Sequence, residues 1–401
     1  MKEPPVRKRE LIPSERITDG SGHFFYGYYD NPAISGNDRY HLVHRVPFCD
    51  RMQEAGDTAE IGMIDMSVGA GEPGAYIPLA KTTAWNFQQG SMLQWNPLAP
   101  DDEILYNVTR DGEYRTAVLN VHTKSTRYLD RPVATVDPLG KIGLSINFGR
   151  MFDFRPGYGY ADIPDPFREE LHPAEDGVFR VDLRTGASTQ ILSLKEIWAF
   201  IQPIFQWEEA KLVINHITLN PDGSRFVFLA RSIQPGKRWV TALLTANTDG
   251  SGLRCLSPST LQSHYHWRDP QHFVIYGGGP KGNHLYLYQD EEVEGQVPEP
   301  VVLDGRYFLR DGHCSYSPDR NWMLYDSYPD QNRLRHLYVY DLREKRGITL
   351  GSYYSPPEID GDIRCDLHPR WNRAGTAITF DSVHEGQRHV YRMDLRSVLK
   401  R

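Results

Sequence analysis

Three stretches of the chain share one plan: LNPDGSRFVFLAR (219–231), YSPDRNWMLYDSY (316–328) and WNRAGTAITFDSV (371–383). Each begins with Leu or an aromatic residue, passes through a polar turn, and continues as an alternating apolar strand. The turn chemistry is that of a two-strand hairpin, in which Asp and Gly supply the turn conformations. Working outward, a second piece recurs, an apolar strand that ends in a turn. Its copies are AEIGMIDM (59–66), RTAVLNVHTKS (115–125), GVFRVDLRTGAS (177–188), TALLTANTDGS (241–251), NHLYLYQD (283–290), RHLYVYDLREKR (335–346) and RHVYRMDLRS (388–397). Seven copies in 401 residues give about 57 residues per copy, the length of a four-stranded propeller blade with its loops. The expected fold is therefore all-β: a seven-bladed β-propeller of four-stranded antiparallel blades, one domain over 1–401. The last copy shows three strands, so the segment 11–19 is expected to supply its fourth. SLKEIWAFIQ (193–202) is the best helical stretch, and 148–176 reads as a loop on one face.

Composition agrees with this class. Apolar residues make up 39% and aromatic residues 12%, enough for a core and rich in strand formers. The net charge of −7 argues against sequence-independent nucleic-acid binding, which needs a basic surface. Four Cys without a CxxC pair exclude a disulfide scaffold and a zinc ribbon. The first residues lack a signal-type apolar segment, and no run of 18 apolar residues follows. As written, the chain reads as soluble and cytoplasmic, without a membrane partner, and as periplasmic or secreted if a signal has been removed.

Aligning the later copies on their turns exposes a histidine register. His216 stands three residues before Leu219, His264 three before Trp267, His313 three before Tyr316 and His368 three before Trp371. Successive members are 48, 49 and 55 residues apart, one copy each. In a propeller this position falls on the innermost strand, so the four imidazoles are expected at one level of the channel. A single such His reads as a strand residue bonded to a carbonyl. Four in register need partners, and a divalent metal ion offers one. His264, His313 and His368 are the expected ligands, with Asp366 a fourth on the strand face of His368 and His266 in reserve. Mixed His and carboxylate ligation suits zinc or manganese; calcium wants more oxygen.

The first half carries different chemistry. SGHFFYGYYDNP (21–32), RYHLVHRVPFCDR (39–51), WNFQQGSMLQW (85–95), ILYNVTR (104–110) and FGRMFDFRPGYGY (148–160) are dense in His, Arg, Gln, Asn and Tyr. Aromatic faces such as Trp95 and Tyr160 stack on sugars, and Gln88, Gln89 and Arg110 can fork onto hydroxyls and carboxylates. Arg155 and Arg110 are candidates for clamping an acidic ligand. His23 and His44 are candidates for proton transfer.

HFFYGYYD, HRVPFCDR, QQGSMLQW, RPGYGYAD and CDLHPRWN…DSVHEG together resemble seven-bladed propellers that act on uronic-acid glycans: oligogalacturonate, ulvan and rhamnose–glucuronate lyases, and more loosely the propeller rhamnosidases. The resemblance runs from about residue 20 to 396. It implies that His23 and His44, spaced like the first-blade pair of ulvan lyases, serve as acid and base. It implies Arg155 or Arg110 as the group that neutralises the uronate. The Tyr those lyases use next is replaced near Gln88 and Gln89, with Tyr158 or Tyr160 as substitutes. From oligogalacturonate lyases it implies a manganese ion on His264 and His368 and a catalytic part for His216. The His-x-His-Pro of that family stands here as Asp366-Leu367-His368-Pro369.

The leading expectation is a lyase that breaks a uronide bond in an acidic oligosaccharide or polysaccharide by β-elimination. Arg or metal neutralises the carboxylate, and His supplies acid and base. A glycoside hydrolase on the same scaffold, or a glycan- or peptide-binding propeller, is the alternative.

Overall fold

In all three quoted stretches a side chain at the head of the turn caps the hairpin. Asn220 Oδ1 accepts from the backbone N–H of Ser224 and Arg225 at 3.0 and 3.1 Å. Ser317 Oγ accepts from Trp322 N–H at 3.0 Å, and Asn372 Oδ1 from those of Thr376 and Ala377 at 2.8 and 2.9 Å. The carbonyls of the same three residues accept from the N–H of Gly223, Arg320 and Gly375. Those donors are left-handed, with φ of 71°, 60° and 66°. Glycine meets that demand at two of the three turns, while Arg320 meets it with a side chain.

The structure, a computed structural model, describes residues 7–67, 74–291 and 297–399. Its strands form seven antiparallel sheets, and the fold is a seven-bladed β-propeller. The chain divides into two compact units, residues 1–105, 119–125 and 312–401, and residues 106–118 and 126–311. The first unit holds the sheet that begins at His23–Phe25 and the sheets that begin at Cys314–Tyr316 and Arg370–Trp371. The second holds those that begin at Thr135–Val136, Leu212–Leu219 and Gln262–Trp267. The sheet opened by Gln94–Trp95 has strands in both.

Two short N-terminal strands complete sheets of the first unit. Ser14–Arg16 pairs with His389–Asp394 as a fourth strand, and Lys8–Glu10 adds a fifth beside Arg346–Tyr354. Thr18 seals the first of these: its Oγ1 meets His389 Nδ1 at 3.0 Å and accepts from Val390 N–H at 3.1 Å.

The core lies between successive sheets. In the first unit Leu324, Leu337 and Val339 pack with Ile378, Phe380 and Tyr391 of the next sheet. In the second, Val227, Leu229 and Leu243 meet Tyr265, Phe273 and Ile275. Each such buried side chain contributes about 1.5–3 kcal/mol, so alternation in the strands decides which face is covered.

The two longer helices lie in insertions between strands. Ser193 caps Leu194–Phe205 in a reciprocal box with Glu196, and Leu194, Ile197 and Ile201 form its buried face. The stretch 148–176, read as a loop, opens with a helix at Phe148–Phe154 whose first turn Asn147 caps. Gly149 and the surrounding Pro and Gly hide it in the sequence. The glycine is needed there, because a Cβ would stand 2.7 Å from the Ile163 carbonyl. No helix among the described residues is long and apolar enough to cross a membrane.

The turn at Arg320 yields a prediction. Arg320 is exposed, so Arg320→Gly removes only the left-handed strain and is expected to add about 0.5–1 kcal/mol of stability, read as a higher urea midpoint. A lower midpoint contradicts this reading of the turn.

Candidate functional site

The register histidines sit where the first strand of each sheet leaves its ladder. Asn215 pairs with Leu229 and Ile217 with Phe228, so His216 is the extra residue of a bulge, with φ 47°. Gln262 pairs with Gly277 and Tyr265 with Ile275, which leaves Ser263 and His264 in a second irregularity. His368, with φ 42°, precedes the strand Arg370–Trp371, and His313 precedes Cys314–Tyr316. A bulge re-aims one side chain out of the sheet, and left-handed backbone at a residue other than glycine costs on the order of 1 kcal/mol or more.

In the first unit this backbone brings His313 and His368 together. Their Nε2 atoms are 3.1 Å apart, with the rings edge to face. Asp326 fixes the pair. Its Oδ1 lies 2.9 Å from His313 Nδ1, and its Oδ2 accepts from the His368 backbone N–H at 3.1 Å. With Nδ1–H assigned as the donor to Asp326, His313 Nε2 is left with a lone pair. Burial pushes the Asp326 carboxyl up to about 6, although the His313 backbone N–H works against it. Burial, reinforced by the neighbouring His313, holds His368 well below its ordinary value and therefore neutral.

Asp366 completes this group. His313, Asp366 and His368 place one ligand atom each within 4.8 Å of one another, a spacing that could hold a metal ion. Asp366 also meets Arg335 at 2.6 Å and Arg364 at 2.7 Å. Burial alone raises its carboxyl, and the two guanidiniums outweigh that and hold it well below the usual range. The two imidazoles are the more available ligands.

In the second unit His216 and His264 form another edge-to-face pair, with centroids 5.3 Å apart. Tyr158 stands edge-on to His216 at 5.5 Å, and the Arg155 guanidinium lies over the Tyr158 ring at 4.3 Å. On the other side, His264 Nδ1 meets Asp311 Oδ1 at 3.2 Å, and Asp311 Oδ2 accepts from Ser263 Oγ at 2.6 Å. Beside this run is a cavity of about 300 Å³ lined by Arg231, Trp239, Ser263 and Asp311. Trp239 is 44% exposed and rests on Phe154, its centroid 4.7 Å away. Asp326, Asp311, Arg231 and Trp239 had no signal in the register. The RWV that follows the PGK tip of one hairpin is the hint the sequence carried.

The remaining expected residues lie elsewhere. His44 is fully buried; its Nδ1 meets the Tyr26 carbonyl at 2.8 Å, and its Nε2 meets Ser91 Oγ at 2.8 Å and the Ser91 backbone N–H at 3.0 Å. Both ring nitrogens are thus engaged, and Gly90 packs so closely that a Cβ there would stand 2.2 Å from the ring. His23 shares that face of the sheet, with Phe25 between the two, and its Nδ1 accepts from Arg388 N–H at 3.3 Å. Burial, with help from Arg388, lowers its proton affinity.

Gln88 is buried and donates to the carbonyls of Asp362 and Arg364, which steadies the approach to Asp366. The Gln89 side chain is buried beside it. Trp95 is buried and donates to the Ala33 carbonyl. Tyr160 is buried too; its hydroxyl accepts from Asn107 at 2.9 Å and its ring stacks on Phe148 at 4.2 Å. Arg110 is at the surface over Tyr128, paired with Asp111. Alternation could not tell sugar-facing aromatics from core ones.

Among solved structures, the chain is similar to oligogalacturonate lyase from Vibrio parahaemolyticus: 14% identical, TM-score 0.62, covering 98% of this chain and 97% of that one. It is similar to an oligogalacturonate lyase in complex with manganese to the same degree, with coverage of 98% and 99%. The tricorn protease matches over 99% of this chain and 35% of its own, at 11% identity and TM-score 0.50. At such identities the likeness is one of fold. No family model and no curated protein matches the chain.

The buried His44 gives a pH prediction. Burial lowers its folded value to about 4, below that of the unfolded chain, so the stability it contributes is complete above about 6.5 and is lost as pH falls towards 4. Between pH 7 and 5 this removes about 2 kcal/mol. His44→Gln is expected to reduce that loss, measured by urea unfolding at both pH values. An unchanged loss contradicts the assignment.

Proposed function

We propose that this protein is a lyase that cleaves a uronide bond in an acidic oligosaccharide or polysaccharide by β-elimination. The observation that carries the reading is the run Arg155, Tyr158, His216, His264 and Asp311 in the second unit: a cation, a phenol, two imidazoles and a carboxylate in successive contact. The likeness to oligogalacturonate lyases and the motifs shared with uronide-acting propellers support the same substrate class.

β-Elimination needs a neutralised carboxylate, a base and an acid, and the run offers one group for each. The half-buried Arg155 guanidinium pairs with the uronate, which acidifies the proton on the adjacent C5. His216 takes that proton. The electron pair left on C5 forms the C4–C5 double bond, the C4–O4 bond breaks, and the Tyr158 hydroxyl protonates the departing oxygen. Asp311 holds His264 against His216 and fixes the pair. Trp239 offers a flat face at the mouth of the cavity on which a sugar ring can lie. Hydrolysis asks for two carboxylates flanking the bond, and this run contains one, already engaged by Ser263 and His264. His44 acts as a positioning residue for the Gln88–Ser91 turn, and His23 remains a half-buried proton carrier of the first unit.

The group in the first unit suits a divalent cation. His313 and His368, with Nε2 atoms 3.1 Å apart, and Asp366 beside them would hold such an ion. Two imidazoles and one carboxylate favour manganese or zinc over calcium. When bound, the ion supplies a fixed positive charge that an anionic group can meet. His313 and His368 would hold it, while Asp326 orients His313, and Arg335 and Arg364 restrain Asp366.

Two tests follow. His216→Asn keeps a residue that tolerates left-handed backbone, and Arg155→Gln keeps a polar side chain without the charge. Each is expected to lower kcat on oligogalacturonate, ulvan or rhamnose–glucuronate substrates by about 10²–10⁴-fold, read by the ultraviolet absorbance of unsaturated product, with Tm little changed. Unaltered turnover, or no unsaturated product from any of these substrates, overturns the reading. For the ion, Asp326→Asn is expected to weaken Mn²⁺ binding about 10–100-fold by calorimetry. Equal affinity in both proteins rejects that role for Asp326.

A further inference from the structure

A further cavity of the second unit is lined by none of the residues of the histidine run. It measures about 570 Å³ and shares no lining residue with the cavity beside His264. Residues 163–167 form one wall, and the molecule invests heavily in holding that wall still. Arg150 is buried, pairs with Asp165 at 2.9 Å, and donates to the carbonyls of Phe167, Glu170, Leu171 and Leu212. Asn147 joins Asp165 to Asp176, and the Ile163 N–H donates to the Tyr114 hydroxyl at 2.7 Å. A cavity wall fixed in advance removes ordering entropy that a ligand would otherwise have to overcome.

The polar lining is mixed. Donors come from Arg115 and Arg131, and acceptors from Asp130, Glu175 and Asp176. Arg131 is flat against Phe179 at 3.4 Å and makes no ion pair among the described residues. Arg115 Nε is buried without a hydrogen bond, while its Nη2 meets Glu113. An anion would meet the acidic acceptors, and a cation would meet the guanidiniums. A ligand whose groups both donate and accept suits all five, and vicinal hydroxyls do so. Pro164, Pro166 and Phe167 add apolar faces for the C–H side of a ring. The volume falls within the range of small-ligand sites.

We propose that this cavity is an uncharged-saccharide site, independent of the lyase reading, in which Arg131 and Glu175 bind ring hydroxyls. The test is calorimetry on the full chain with cellotetraose, xylotetraose and galactotetraose, and with trigalacturonate and a tetralysine peptide as charged probes. Expected is one site per chain for at least one neutral probe, weakened at least tenfold by Arg131→Met and by Glu175→Gln. Glu175 is exposed, so its variant keeps the comparison valid should Arg131→Met not fold. Both variants are expected to keep turnover of short uronides at its original level, so loss of sugar binding and failure of the lyase reading are separable. No binding by any neutral probe, binding unaffected by both variants, or displacement of the neutral probe by trigalacturonate or tetralysine each overturns the proposal.

Discussion

The chemistry of this protein depends on how the first strand of a sheet leaves its ladder. A residue held in a regular ladder points into one of two packed layers, where Leu, Val, Phe and Tyr fill the space. A bulge or a left-handed residue breaks that alternation and turns one side chain out. His216 and His368 adopt that conformation, and Ser263 and His264 sit in an irregularity of the same kind. The local cost is carried by the apolar cores on either side, which hold the flanking strands in register.

Two of the register imidazoles are then fixed by a carboxylate. Asp326 sets His313, and Asp311 sets His264. The same division of labour recurs in the charged groups: Asp366 is restrained by two guanidiniums, and Arg150 ties the loop 165–171 to the strand at Leu212. These buried contacts cost desolvation and return geometry. The outcome is two prepared groups, one with converging imidazole nitrogens and one with a graded series from cation to carboxylate.

Much of this was legible in the sequence for physical reasons. Hairpin turns need Asn, Ser, Asp and Gly at fixed offsets, so the repeat and the blade count could be read directly. The register of four His followed from the same offsets. Their grouping as His216 with His264 and His313 with His368 did not, because it depends on backbone conformation at single residues. Asp326 and Asp311 were hidden because each is one of many Asp near turns. Trp95, Tyr160 and His44 looked like site residues because aromatic and polar strand residues read alike on either face; packing buries all three, and Tyr158, equally buried, differs from them by its contacts with Arg155 and His216. Trp239, on a hairpin tip, is the exposed aromatic that the composition could not single out.

The central claim is that the Arg155–Tyr158–His216 run breaks a uronide by elimination. Mass spectrometry of the two products of a defined oligouronide tests it most directly. Elimination predicts that their masses sum to that of the substrate, with the double bond on the new non-reducing end. A sum greater by one water, with both new ends saturated, contradicts the account.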